Sequence, residues 1–535
     1  MTSSMIFFSE LLSTRRWTML LLTGIAGMAN AGILVIINMA SEDAGKGEQS
    51  FYHILQFGCA VAVFAVAQQT VMVAATRRVE GAIHDLRMRL IGRIRDAEYG
   101  DFEKIGRGDI FGSVWKETQV ISQAAAPMVI AVQGSILLLF CLAYIAYLSL
   151  PAVAITIVLT TLGGGIYLLR ANRIRDQIRH SLHTENRMQE FLSDFLDGFR
   201  EIKFSRRKSA AVVAGIESIS DEVRELRQET LGLMSRDYIN STITFFIITG
   251  AVVFVVPLLS ATFPEVVAKT STASLFMIGP ISSVITAVPI LVNVQASIDN
   301  IMELESKLSE METQDLTEGL FQEFDTMRMV GVRFSHRDRN DEPVFDVGPL
   351  NFTLGKGELV FITGGNGSGK TTFMQVFSGL RRPSGGVIDI DGTPVTDPNR
   401  QSYRSMFNVV YSDLHLFRTL HGLEDVDVKK VNALLKQFEI NDKIQFTDGA
   451  FSTIDLSAGQ RKRLALIGVI LEARPILILD EWAADQDPQF RKKFYMEILP
   501  DLRDQGFTIC AVSHDQMYFD QADRIVHMAE GKFVT

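Results

Sequence analysis

Five long stretches of this chain carry no charged side chain, and they limit its fold more than any other feature. They cover residues 17–41, 49–76, 118–169, 238–264 and 270–298, lengths of 25, 28, 52, 27 and 29 residues. A helix needs roughly 20 apolar residues to cross a bilayer core. Four windows therefore predict one span each, and the 52-residue window predicts two, turning at Ser149-Leu150-Pro151. A buried core helix accounts for one such window but not for five in succession, so a purely water-soluble fold is excluded. The first window is about twice as long as a signal-peptide core and no small-residue site clearly closes it, so it is expected to remain as a span. No comparable window follows Asp299, and the rest of the chain reads as water-soluble.

The connections set the orientation. Residues 77–117 hold nine Lys or Arg and residues 170–236 hold thirteen, with Arg15 and Arg16 ahead of the first span. The opposite connections hold only Lys46 and Lys269. An excess of Lys and Arg stays on the cytoplasmic side, which predicts cytoplasmic termini, two long cytoplasmic loops and short outer loops.

Charge also separates the two halves. Residues 1–310 have a net charge of −2 and the remainder −8. An acidic soluble half has no basic footprint for nucleic acid, so DNA and RNA are not expected partners. Cys59, Cys141 and Cys510 fall in two predicted spans and a predicted cytoplasmic strand, where single thiols are expected.

In the second long loop, apolar residues recur at helical spacing: Ile174, Ile178 and Leu182, then Met188, Phe191, Leu192, Phe195 and Phe199. Both loops are therefore expected to continue the membrane helices into the cytoplasm. Bends are expected at Gly106-Arg107-Gly108 and near Gly198, with each tip contacting the soluble half.

The soluble half carries phosphate chemistry. The run Leu359-Val360-Phe361-Ile362 leads into Gly364-Gly365-Asn366-Gly367-Ser368-Gly369-Lys370-Thr371-Thr372. This fits G-x-x-x-x-G-K-[ST] in its required setting of strand, loop and helix. Glycines let backbone N–H groups close around phosphate oxygens, and the helix start adds partial positive charge. Lys370 should reach the β- and γ-phosphates, and Thr371 should hold Mg²⁺. Further on, Ile476-Leu477-Ile478-Leu479 ends in Asp480-Glu481, an apolar strand delivering two acids to a sheet edge. Asp480 is placed for Mg²⁺ and Glu481 for polarising an attacking water.

Between these elements, Leu456-Ser457-Ala458-Gly459-Gln460 resembles the signature of ATP-binding cassette (ABC) proteins. With six upstream spans, the chain resembles an ABC half-transporter of the exporter type over essentially its whole length. The resemblance implies an all-α six-helix membrane domain over residues 1–310 and an α/β P-loop nucleotide-binding domain over 325–535. It also implies ATP and Mg²⁺, and a homodimer in which the signature of one copy covers ATP held by the other. Ser457 and the N–H groups of Gly459 and Gln460 would form that clamp. His514, in Ser513-His514-Asp515, resembles the family's switch histidine, and Asp487 its communicating aspartate. Two positions depart from the pattern. Ser412 stands where the family has glutamine, leaving Ser412 or Asp413 as further metal candidates, and His336 stands where an adenine-stacking aromatic is expected.

The run from Asp480 to Pro488, with Phe490-Arg491, Phe494-Tyr495 and Gly348-Pro349-Leu350, resembles the bacterial cyclic-peptide exporter branch, which handles microcins and siderophore or lipopeptide precursors. This implies a peptide or other amphipathic cargo, lipid surroundings and the bacterial inner membrane. The windows hold polar groups such as Gln68, Gln69, Gln133, Asn240, Asn293 and Gln295 but no Lys, Arg, Asp or Glu, which disfavours a proton-coupled carrier. Pro280 and Pro289 predict kinks in the sixth span. Two rival readings are a lipid or drug translocator and an ATP-responsive membrane regulator that does not transport.

Overall fold

The computed structural model describes residues 16–47, 51–259, 264–309, 319–337 and 342–534. Arg15, the expected domain boundary at residue 310, both chain ends and the side chains of Ile174 and Leu182 lie outside the described residues. The chain forms two compact units, Met1–Gly92 with Arg107–Lys307, and Arg93–Gly106 with Leu308–Thr535.

The first unit is helical. By length and composition, five stretches can cross a membrane: Leu21–Gly45, Phe51–Asp96, Gly112–Leu148, Arg206–Leu258 and Val266–Ser309. They belong to helices α1 (Arg16–Gly45), α2 (Phe51–Asp96), α4 (Thr118–Leu148), α6 (Arg206–Gly250), and α7 (Pro264–Phe276) with α8 (Ile278–Ser309). A short helix, α3 (Tyr99–Lys104), follows α2 and belongs to the second unit. The second half of the longest window begins α5 (Leu150–Asp197) as the shorter apolar stretch Leu150–Ile166. Its start is where the sequence predicts a turn. Ser149 Oγ accepts from Ala152 N, and Pro151 sits in the first turn, where its missing N–H leaves nothing unpaired.

The last span divides at Met277, between α7 and α8. Pro280 has no N–H to donate to Phe276 four residues back, and its ring crowds that carbonyl, so the helix restarts after the break. Pro289 is accommodated inside α8. Helices α5 and α6 form a long antiparallel hairpin turning at Gly198. Ion pairs tie its two arms at Arg227–Glu185 (2.8 Å), Arg187–Glu222 (3.6 Å) and Arg170–Asp237 (3.4 Å). Leu34, Leu137, Cys141, Ile145, Phe245 and Met277 pack into one apolar cluster of this unit.

The second unit is α/β. Strands β1 (Thr326–Arg337), β2 (Pro343–Gly355), β4 (Gly385–Ile390) and β5 (Thr393–Pro394) make an antiparallel sheet in the order β2-β1-β4-β5. A second sheet is built from β3 (Leu359–Thr363), β6 (Phe407–Val410), β9 (Ile476–Leu479), β10 (Thr508–Val512), β11 (Arg524–Ala529) and β12 (Lys532–Val534), in the order β12-β11-β3-β10-β9-β6. Its strands are parallel apart from β12. The small pair β7 (Phe446–Thr447) and β8 (Ala450–Phe451) stands apart.

Every residue of β3, β9 and β10 is buried. Successive side chains of a strand point to opposite faces, so the apolar runs feed two cores. Leu359, Phe361, Leu477, Leu479 and Ile509 enter one cluster, and Val360, Ile362, Ile476, Ile478 and Cys510 the other. The central strands run β3, β10, β9 side by side in one direction, which gathers their C-terminal ends at a single edge. An all-α membrane domain thus precedes an α/β P-loop domain, as the sequence predicts.

Candidate nucleotide site

That edge carries the site. The loop after β3 begins at Gly364, at φ 150°, where a Cβ would collide with the Met528 carbonyl. It ends at Gly369, whose φ of 100° opens helix α9 (Lys370–Phe377). Gly365, Asn366 and Gly367 form the exposed rim of the loop. Inside the loop, Lys370 is buried and its Nζ donates to the carbonyls of Gly364 (3.0 Å) and Gly365 (2.9 Å). Ser368 Oγ is buried with no partner among the described residues. A cationic amine held by weak acceptors and an orphaned hydroxyl suit a phosphate, which supplies the missing acceptors.

The acids arrive on β9. Thr371 Oγ1 donates to Asp480 Oδ2 at 3.0 Å. Asp480 is buried, and chiefly for that reason its carboxyl sits above the ordinary aspartate range, with the Thr371 bond opposing and the Glu481 charge adding. No group of three or more His, Cys, Asp or Glu forms a metal cluster among the described residues. Mg²⁺ does not require one, because it keeps waters and phosphate oxygens around one or two protein ligands. A hydroxyl and a carboxylate already in contact fit that donor set. Glu481 Oε1 lies 3.9 Å from Lys370 Nζ and 3.2 Å from His514 Nε2. Tyr495, hydrogen-bonded to Ser513 Oγ (2.8 Å) and Asp515 Oδ2 (3.0 Å), braces the loop that carries His514.

The structure joins some other predicted residues to this cluster and leaves others apart. His336 Nε2 is 2.9 Å from Thr372 Oγ1, which ties β1 to the phosphate-loop helix. Burial, then the Arg381 charge, holds its imidazole below the usual histidine value. Ser412 and Asp413 are exposed in the turn after β6, and among the described residues no hydrogen bond links them to Thr371 or Asp480. Ser457 caps helix α10 (Ala458–Glu472) in a reciprocal box with Gln460, whose Oε1 accepts from Ser457 N at 3.2 Å. Gly459 has to be glycine, since a Cβ would strike the carbonyl of Asp485. Asp487 caps the following helix through Phe490 N (2.9 Å) and takes a bond from Arg463 (2.7 Å). The Phe490 N–H, and then Arg463, hold its carboxyl below the usual value.

Sequence reasoning missed two residues. Lys462 is buried and donates to the Glu481 carbonyl (2.8 Å) and to Asp485 Oδ2 (2.7 Å). Tyr411, just before Ser412, has a hydroxyl with no hydrogen-bond partner among the described residues, and burial pushes its pKa up to about 12. Nothing in the local pattern marks either one. The sequence, by contrast, predicts a contact with the soluble half at the tip Gly106-Arg107-Gly108, and the segment leading to it, Arg93–Gly106, belongs to the α/β unit. Glu98 bonds Arg404 (2.6 Å) and faces Arg400 (3.7 Å), Glu103 bonds Arg381 (2.6 Å), and Arg381 also lies over the Tyr99 ring.

Comparison with known proteins agrees with this geometry. The ABC transporter family model matches residues 347–484. The chain is 30% identical over 537 residues to the ATP-binding protein SyrD of Pseudomonas syringae pv. syringae, covering 96% of this chain and 93% of that protein. It is 23% identical to an ATP-dependent lipid A-core flippase of Paraburkholderia xenovorans (strain LB400), covering 84% of this chain and 77% of that protein. A solved bacterial Atm1-family ABC exporter with ATP bound shares the fold, with a TM-score of 0.77 at 17% identity over 98% of this chain and 95% of that one. With a membrane unit of long apolar helices and a cytoplasmic ATP-binding unit that couples hydrolysis to transport, the chain belongs to the ABC transporters as an exporter-type half-transporter.

Proposed function

We propose that two copies of this chain export a cyclic or otherwise modified peptide across the bacterial inner membrane, using ATP held at two sites shared between the copies. The division of labour would follow the sequence, with residues 1–310 forming the pathway and 325–535 the engine, and both termini cytoplasmic. The observation that carries the hydrolytic part is the meeting of Lys370, Glu481 and His514 at one sheet edge, 3.9 and 3.2 Å from the central carboxylate. Lys370 and the N–H groups around Gly367 and Gly369 grip the β- and γ-phosphates. Glu481 takes the proton of the attacking water, and His514 orients Glu481 and contacts the γ-phosphate. Thr371 and Asp480 would hold Mg²⁺, which when bound neutralises developing charge on the phosphates. His336 would flank the adenine. Ser457, Gly459 and Gln460 would close over the γ-phosphate of the partner copy, with Asp487 at the seam.

A peptide cargo rests on the resemblance around Asp480 to Pro488. A relative named as a lipid A-core flippase favours a second reading, with lipid as cargo. Proteoliposomes separate the two. A cyclic lipopeptide should accumulate in inside-out vesicles only with ATP, and Glu481→Gln should retain ATP and abolish both turnover and accumulation. Undiminished ATPase activity in Glu481→Gln would overturn the assignment of the general base. Accumulation of labelled phospholipid in place of peptide would establish the second reading.

A further inference from the structure

The membrane unit holds a half-open cavity of about 530 Å³ between α4, α5, α6 and α8. That volume is typical of small-ligand sites. Most of the wall is apolar, including Leu138, Ile248, Ile281 and Val288, and Gly164 leaves one side open, because a Cβ there would meet nothing within 4 Å. One end is different. Arg170 and Asp237 line it, two residues just outside the charge-free windows that no sequence pattern connects. Among the described residues, Arg170 bonds Asp237 Oδ1 alone, at 3.4 Å. Asp237 is 8% exposed, yet its Oδ2 is buried with no donor among the described residues. Thr160 Oγ1, also on the cavity wall, is orphaned too, about 15 Å along α5 from Arg170.

Leaving a carboxylate oxygen buried without a donor is costly, and among the described residues none of the polar groups on the wall, Asn240, Ser241 and Thr244 included, donates to Asp237 Oδ2. A ligand that brings a donor relieves that cost, while one that brings a second carboxylate adds to it. Arg170 reaches Oδ1 through Nη1 alone, and its half-exposed guanidinium is open to water, so the buried unmet demand at this end is that of Asp237 Oδ2 for a donor. We propose that this cavity is a cargo subsite for an amphipathic molecule whose apolar body fills the cleft and whose ammonium head bonds Asp237 Oδ2. The proposal rests on the exporter reading above and names the chemistry of the cargo end that this chain recognises.

The test uses two probes that differ only at the head, decanoyl-ornithinamide and decanoyl-norvalinamide, with binding measured to the full-length protein in nanodiscs without nucleotide. The wild-type chain should bind the ornithine probe about tenfold more tightly, the value of one charge-assisted hydrogen bond. Asp237→Asn should bring the two affinities together. Gly164→Leu, which fills the cleft and leaves the carboxylate in place, should weaken both probes. Equal affinities in the wild type, or a preference that survives Asp237→Asn, would overturn the proposal. If Asp237→Asn fails to fold, Gly164→Leu decides alone, and undiminished binding in it removes the site. ATP turnover in the same preparations is a separate readout. Loss of hydrolysis with the preference intact sinks the exporter engine and leaves the subsite standing, whereas the reverse sinks only the subsite.

Discussion

At the scale of single residues, Lys462 shows how the site is held. Glu481 sits at φ 48°, a left-handed backbone that costs a non-glycine residue about 1–3 kcal/mol. The buried Lys462 ammonium spans its carbonyl and Asp485 Oδ2, so it fixes that backbone from the signature helix. Lys462→Met would leave the carbonyl and the carboxylate without their donor. Steady-state ATPase assays should then show kcat down about tenfold with KM for ATP nearly unchanged, because Lys462 touches no part of the phosphate loop. Lys462→Arg should recover part of the loss, and a change confined to KM would refute the positioning role. The contrast with Lys370, Thr371, Asp480 and Glu481 explains what the sequence reveals. Those four lie within short motifs whose spacing dictates their geometry, so they are readable in one dimension. Lys462 lies in a basic run, Arg461-Lys462-Arg463, that reads as a solvated surface. Its burial is decided by Trp482, whose Nε1 bonds the Lys462 carbonyl from the far side of β9 in sequence.

Whole elements were legible where hydropathy or a single breaker residue controls them. The windows forecast the apolar helices, Ser149-Leu150-Pro151 the turn, Gly198 the hairpin tip, and Pro280 the interruption near Met277. The seat of Arg93–Gly106 was readable only as a contact of unknown partners, because Glu98 and Arg404 are 306 positions apart and no periodicity links them. The structure supplies the chemistry. Glu98 is shielded between Arg400 and Arg404, while Arg404 Nε also holds the Gly379 carbonyl two residues beyond α9. A pair this sheltered is expensive to break from one side, since removing one partner leaves the other charge uncompensated. Glu98→Ala should therefore loosen the link between α3 and the phosphate-loop helix while sparing Lys370 and Glu481. Basal ATP hydrolysis should persist, and cargo-stimulated hydrolysis and vesicle uptake should fall together. The swap Glu98→Arg with Arg404→Glu should restore part of the stimulation. Full coupling in Glu98→Ala would show that this contact transmits nothing. At the other loop tip, Phe204 is 92% exposed beside a half-exposed Phe199, and among the described residues no ion pair involves Arg200, Glu201 or Lys203.

For the whole molecule, the phosphate loop and the signature of one chain do not complete each other. Ser457 is exposed at the start of α10, its cap is closed by Gln460, and among the described residues no hydrogen bond joins Ser457, Gly459 or Gln460 to the loop from Gly364 to Thr372. A helix N-terminus left facing outward is suited to a phosphate brought by another copy. If each site is shared, defects on opposite sides of one site should fall on that site alone. Co-expression of differently tagged chains, one carrying Lys370→Ala and the other Ser457→Arg, both in a Glu481→Gln background that holds ATP unhydrolysed, makes the mixed dimer. Its first site combines both defects. Its second pairs the intact Lys370 of one chain with the intact Ser457 of the other. Occlusion measured with labelled ATP should then give one nucleotide per mixed dimer and none in either matched dimer. Sites completed within single chains require a different count, because every chain in the mixture carries one damaged half. In that case the mixed dimer would hold no nucleotide, and the shared-site engine would be excluded.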